Sequence, residues 1–297
     1  MFSYHRVDIG PRNVDIPVAD ILGKSEGKTL LVTAGMDGDE YASIEAAYRL
    51  ADEFAARSFR GRLIIVPIVN VMGFWNECSA NPIDGLFPKM RLIGKKNGSS
   101  TELLMHWLSQ TFAVGADCWY DAHGGAITER VNPLLWTWRH KRTSGFVDAL
   151  RNASIAEMFV DDTAGFGSGA AVLAKAGCAY VVGESGERGR REDVDIARHV
   201  DWMHGVMHAL GMLDEAPTPV DQQAYRRVSF VMAPCEGIWR PSLVTSMHVQ
   251  KGDVIGECFA LNGELLKIVH APTPGVRMWW KDTMALRKGD VVCAVAS

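Results

Sequence analysis

Three short segments carry side chains able to hold a metal ion or move a proton. Gly35-Met36-Asp37-Gly38-Asp39-Glu40 follows the apolar run Thr29–Thr33 and precedes a helical stretch. Asp37 and Glu40 stand three apart, so a loop entering a helix can bring both carboxylates to one point. The same spacing describes a turn with an acidic helix start, which the helix dipole favours whatever the function. Tyr120-Asp121-Ala122-His123-Gly124-Gly125 closes a second apolar run. A histidine at a strand end followed by two glycines can approach a metal without obstruction, and Asp121 is placed to orient its imidazole. It equally describes a loop histidine with ordinary partners. Val181-Val182-Gly183-Glu184-Ser185-Gly186 sets Glu184 directly after a third run. There a desolvated carboxyl has a raised pKa and suits a general base, whereas a solvated one is an ordinary loop residue. Glu187, Arg188, Arg190 and Arg191 follow, as a solvated charge run or the rim of an anion site. Asn81–Arg91, with Asp84, Lys89 and Arg91, is long enough to fold over a site or to form a surface loop.

The elements that must position these groups alternate. Thr29–Thr33, Leu63–Val69, Ala116–Asp121 and Ala179–Gly183 are short, mostly apolar, β-prone runs, and Pro67 inside the second favours an edge or a bulge. Between and after them come helical stretches at Ile44–Phe54, Thr101–Leu108, Ala170–Ala176 and Asp193–Leu210. Ile44, Ala47, Tyr48 and Ala51 share one face of the first. Gly98-Ser99-Ser100 offers an N-cap to the second, and Gly211 a C-terminal stop to the last. This alternation predicts an α/β domain with a parallel or mixed sheet, whose strand carboxyl ends are the usual ligand positions.

From Glu215-Ala216-Pro217-Thr218-Pro219 onward helical periodicity disappears. Ala233–Ile238 resembles Ala271–Val276, and Val249-Gln250-Lys251-Gly252-Asp253-Val254 resembles Leu286-Arg287-Lys288-Gly289-Asp290-Val291. Two copies of strand, Lys-Gly-Asp turn and strand predict a small quasi-symmetric all-β sandwich. The division falls at about Tyr225, giving residues 1–224 and 225–297.

At 297 residues and 47% hydrophobic content the chain can bury a sizeable core. A net charge of −4, from 31 basic and 35 acidic residues, provides no field to gather nucleic acid or an anionic membrane. No apolar stretch approaches the ~20 residues needed to cross a bilayer. MFSYHRVDIGPRNVDIPV lacks the basic start and apolar run of an export signal, and six scattered cysteines include no C-x-x-C pair. A cytoplasmic protein with reduced thiols is expected.

The three segments, in this order, resemble the succinylglutamate desuccinylase/aspartoacylase family over nearly the whole chain, from Leu31 to about Val295. That family opens its site with Gly-x-His-Gly-Asp-Glu, matched here by Gly35, Gly38, Asp39 and Glu40. An Asp-Leu-His type strand end is matched by Asp121-Ala122-His123, and a Glu-x-Gly strand end by Glu184-Ser185-Gly186. The resemblance implies a zinc-carboxypeptidase-like mixed sheet flanked by helices, with a C-terminal barrel-sandwich akin to lipoyl and biotinyl carrier domains. Leu261-Asn262-Gly263-Glu264 has no lysine for such a group, so neither lipoyl nor biotin is expected. It further implies a Zn²⁺ ion on Asp37, Glu40 and His123, with Glu184 as general base, acting on a small N-acylated amino acid or related amide. No nucleic-acid or membrane partner is implied, and homo-oligomerisation is compatible with it.

Two departures stand out. Asp37 replaces the family's first histidine, which zinc tolerates but which widens the choice to other divalent ions. The family's Asp-Gly-x-Asn-Leu-Asn-Arg is broken after Asp84-Gly85, leaving Lys89 or Arg91 to contact substrate in place of the displaced arginine. Both departures keep open a second reading, a metal-poor descendant that binds a small ligand without catalysis. A carboxypeptidase acting on true peptides fits less well, because an appended β-domain narrows the site.

Overall fold

A computed structural model describes residues 2–162, 168–242 and 247–297. The first part is built on a nine-stranded mixed sheet. Its strands are β1 (Ser3–Asp8), β2 (Asn13–Leu22), β3 (Ser25–Ala34), β4 (Arg60–Val66), β5 (Cys118–His123), β7 (Leu134–Trp138), β8 (Met158–Asp162), β9 (Ala179–Glu184) and β10 (Gln223–Tyr225), while β6 (Glu129–Val131) lies outside it. The order is β1-β2-β4-β3-β5-β9-β7-β8-β10. The central β4, β3, β5 and β9 are mutually parallel, and β7 runs antiparallel to β9.

The period-two alternation of a strand divides the core. Leu31, Ile64 and Trp119 pack on one face of the sheet; Leu30, Val32, Leu63, Ile65 and Tyr120 pack on the other. Both faces are therefore covered, as parallel strands require. On the second face α1 (Tyr41–Phe54) buries Ile44, Ala47, Leu50 and Phe54 beside Trp202, Met203 and Val206 of the helix Asp193–Ala209. The helix Ser100–Leu108 starts on a capping box: the Ser99 hydroxyl accepts from the Glu102 N–H, and the Glu102 carboxylate accepts from the Ser99 N–H. The helix Ser168–Ala176 leads into β9.

The expected elements form, with shifted ends. β4 stops at Val66, so Pro67 lies just past a central strand and marks neither an edge nor a bulge within it. The β1–β2 hairpin, β7 and β8 are additional. Trp136 and Trp138 of β7 are buried core residues, as aromatic residues in such a run usually are.

After residue 225 the chain forms two small antiparallel sheets related by its internal repeat. β11 (Val228–Met232), β12 (Gly237–Pro241), β13 (His248–Val249) and β14 (Val254–Phe259) come from the first copy. β15 (Leu265–His270), β16 (Gly275–Lys281), β17 (Ala285–Leu286) and β18 (Val291–Ala296) come from the second. One sheet runs β11-β18-β16-β13 and the other β15-β14-β12-β17, so exchanging the copies turns one order into the other. The turns match in detail. The Asp253 carboxylate accepts from Gln250 N at 2.7 Å, and Asp290 accepts from Arg287 N at 3.0 Å. Gly252 and Gly289 both hold the left-handed conformation, φ +94° and +89°, that favours glycine. Trp239, Val269, Val292 and Val295 fill the space between the sheets.

The two parts interlock. β6 pairs antiparallel with β16, and Asp282 receives Arg130 at 3.0 Å as well as Arg188. The six cysteines all carry free thiols, and no helix among the described residues is long and apolar enough to cross a membrane.

Candidate metal centre and general base

Adjacency in the sheet brings the three segments together. β3, β5 and β9 are neighbouring and parallel, so their carboxyl ends open on one edge. His123 and Glu184 are direct cross-strand partners, and the Asp37–Glu40 loop leaves β3 beside them. Gly124 has a packing reason: a Cβ there would meet the Ser185 carbonyl oxygen at 2.4 Å. The glycine lets two strand ends close on each other, beyond any access it gives a metal.

Asp37, Glu40 and His123 are all buried and offer ligand atoms within 4.8 Å of one another. His123 is held on both nitrogens, with Nδ1 2.8 Å from Glu40 Oε2 and Nε2 3.0 Å from Asp121 Oδ2. Asp121 is itself fixed by the Thr33 hydroxyl on Oδ1 and the Tyr180 hydroxyl on Oδ2, each at 2.6 Å. Nε2 is thus anchored, and Nδ1 faces the carboxylates, as a metal-binding imidazole requires. Glu40 Oε2 also accepts from Gly124 N at 3.1 Å. Asp37 Oδ2 is ion-paired with Lys89, while Asp37 Oδ1 is buried with no hydrogen-bond partner among the described residues. An unpartnered buried carboxylate oxygen beside a carboxylate and an imidazole is a place for a cation. The donor set of two carboxylates and one imidazole fits zinc and also harder divalent ions.

Charge in this pocket is lopsided. Burial raises Glu40 well above the ordinary carboxyl range, partly offset by His123 and reinforced by Asp37. Burial opposes a charged His123, yet Asp121 and Glu40 outweigh it and lift its pKa well above normal. Burial also lifts Glu184, to about 7, with His123 and Lys89 opposing and Asp37 and Glu129 adding to the rise. Lys89 feels the opposite balance. Burial works against its charge, but Asp37, Glu40, Glu129 and Glu184 together hold the ammonium protonated.

Of the residues singled out from the sequence, Asp37, Glu40, His123 and Glu184 gather at this edge, and Lys89 reaches it from the 3-10 turn Pro88–Arg91. Arg91 is exposed, and its guanidinium donates to the Met90 carbonyl at 3.0 Å. Asp84 works structurally, accepting from the backbone and hydroxyl of Thr101, each at 2.7 Å, and so fastening the loop to a helix start. Asp39 does similar work, accepting from Ser79 Oγ at 2.7 Å and Ile127 N at 3.3 Å. Arg188 is spent on Asp282.

Glu129 was not legible. It lies on β6, its carboxylate accepts from Trp279 Nε1 at 2.9 Å, and burial raises its pKa despite Lys89 nearby. Its place depends on pairing with a strand about 150 residues away, and no local pattern announces that.

Residues 26–210 match the succinylglutamate desuccinylase/aspartoacylase catalytic domain. An N-alpha-acetyl-L-2,4-diaminobutyric acid deacetylase of Halomonas elongata is 32% identical over 121 residues. That match covers 41% of this chain but only 35% of the relative's length. Among solved structures, a succinylglutamate desuccinylase/aspartoacylase from Rhodobacter sphaeroides superposes with a TM-score of 0.83 at 20% identity, covering 100% of this chain and 94% of its own. The product-bound Ectoine utilization protein EutE (DoeB) from Ruegeria pomeroyi also gives 0.83, at 24% identity, covering 100% and 93%. At these identities the superpositions establish the fold, and the match over residues 26–210 establishes that the chain belongs to the succinylglutamate desuccinylase/aspartoacylase family.

Proposed function

We propose that this protein is a metal-dependent hydrolase that removes the acyl group from a small N-acylated amino acid. The observation that carries this reading is the convergence of Asp37, Glu40 and His123 with a carboxyl, Glu184, poised near neutrality on the next strand. A divalent ion, zinc by first choice, held by those three residues would supply Lewis acidity at the acyl oxygen and make water a competent nucleophile near pH 7. Asp121 keeps the His123 ring oriented through Nε2. Glu184 takes the proton of the attacking water and delivers it to the departing amine, the work a carboxyl near pKa 7 does best. Lys89 is the cation within reach of a substrate carboxylate or developing oxyanion. Arg91 would reach it only after a shift of its loop. Residues 1–224 carry the chemistry, and residues 225–297 narrow access to it by packing β16 and Trp279 against β6 and Glu129. A cytoplasmic location fits the free thiols.

The pocket holds more carboxylates than Lys89 and His123 can neutralise, which favours a leaving amino acid that bears a second ammonium. N-alpha-acetyl-L-2,4-diaminobutyric acid, named in the Halomonas relative, has that chemistry. A panel of N-acetyl, N-succinyl and N-formyl amino acids, including that compound, should be screened with zinc-, cobalt- and manganese-loaded protein. Metal-dependent release of the free amine from the diamino substrate is expected. No hydrolysis of any member under any metal would overturn the reading. The second reading, a ligand binder with little metal, draws on the Lys89–Asp37 ion pair. Zinc-saturated protein that retains no metal on desalting would favour it.

A further inference from the structure

We infer that Lys89 is a built-in competitor of the metal: its ammonium neutralises the carboxylate pocket of the metal-free protein and must yield Asp37 before a divalent ion can bind tightly. The inference rests on the metal-site reading and concerns how that site is regulated. The Lys89 ammonium is paired with Asp37, a proposed ligand. No other lysine or arginine is ion-paired to Asp37 or Glu40 among the described residues.

The two partners differ in freedom. The Asp37 side chain is 1% exposed and fixed in the loop after β3, whereas the Lys89 side chain is 35% exposed on a short turn. Its ammonium also lies 5.9 Å from the centroid of the Phe87 ring. A flexible, partly exposed lysine can swing aside, but a buried aspartate cannot. Two cations close together in a dry pocket repel strongly, so the ammonium and a divalent ion cannot both sit at full strength on one carboxylate. The metal-free protein therefore avoids a nest of buried, uncompensated carboxylates, and metal loading releases Lys89 toward the pocket mouth. There its charge becomes available to a substrate carboxylate.

The test is calorimetric titration of zinc into metal-free wild type, Lys89→Met and Lys89→Gln, with melting curves of each protein before and after zinc. Both variants should bind one zinc about tenfold more tightly than wild type, a coupling of ordinary size between two competing cations. Metal-free, both should melt below wild type, and zinc should remove that deficit. Equal affinity in all three proteins would overturn the inference while leaving the metal site intact. Weaker binding in the variants would also overturn it, because Lys89 would then support the metal by holding Asp37. Zinc binding to none of the three would overturn both the inference and the metal-dependent reading.

Discussion

The strand-end pocket and the C-terminal sandwich are held by opposite means. In the pocket, Asp37, Glu40, Asp121 and His123 are buried charged or polar side chains, and each depends on a specific partner contributed by another segment. Removing one leaves another unsatisfied in a medium that penalises bare charge. The sandwich buries Trp239, Val269, Val292 and Val295, and almost everything in it occurs twice. The first region concentrates buried carboxylates, while the second packs apolar side chains between two sheets and brings β16 against β6. On the proposed reading, chemistry belongs to the first region and scaffolding to the second, and substitutions should separate them.

The largest effect belongs to the pocket. Glu184→Gln should lower turnover by about 10²–10⁴-fold, the usual worth of a positioned acid–base group, with unchanged melting and metal content. In the proposed role the working form of Glu184 is the carboxylate, and burial raises its pKa to about 7, so wild-type activity should be full above that pH. It should fall as pH drops through 7. A pH–rate profile flat from 5 to 9 would remove Glu184 from the role.

In the sandwich, Trp239→Ala should cost about 3–5 kcal/mol of stability, measured by urea unfolding, since a buried aromatic is lost. Zinc affinity should persist wherever the protein remains folded. Loss of metal binding without unfolding would show that the two regions are not separable.

Next in size is His199, buried beneath β5, where Nδ1 meets Tyr120 Oη at 3.2 Å and Nε2 meets the Ser185 carbonyl at 3.3 Å. Burial lowers its pKa from 6.5 to about 4, so the fold holds the neutral ring. Between those values the unfolded chain binds a proton that the folded protein does not, and stability should rise with pH. The span is about 3 kcal/mol, and it should flatten in His199→Gln.

The smallest effect tests the repeat. Gly252→Ala and Gly289→Ala each place a Cβ at positive φ and should each cost about 1–2 kcal/mol. The two losses should agree to within about 0.5 kcal/mol. Clearly unequal losses would show that the matching turns do not bear equal strain.

How much of this was legible in the sequence follows the same division. His123 and Glu184 were legible because each ends an apolar run beside glycine, and parallel strands place such ends together; Glu40 was legible from the glycine-bearing loop between a strand and a helix start. The repeat was legible because Lys-Gly-Asp turns recur with the same backbone demand. The β1–β2 hairpin escaped notice because Asp8–Asn13 interrupts its alternation with a turn. β7 and β8 escaped because short aromatic and apolar runs do not distinguish strand from helix. Lys89 was visible only as one of two candidate cations, since which of them points inward depends on how Asp84 fastens the loop to Thr101. Glu129 lay beyond any local reading.

The most direct measurement of the central claim is X-ray diffraction at the zinc absorption edge from crystals of the wild-type protein grown with zinc. The account predicts one strong anomalous peak about 2.0–2.2 Å from Asp37, Glu40 and His123 Nδ1. An empty pocket with the Lys89–Asp37 pair intact, or zinc bound only elsewhere, would contradict it.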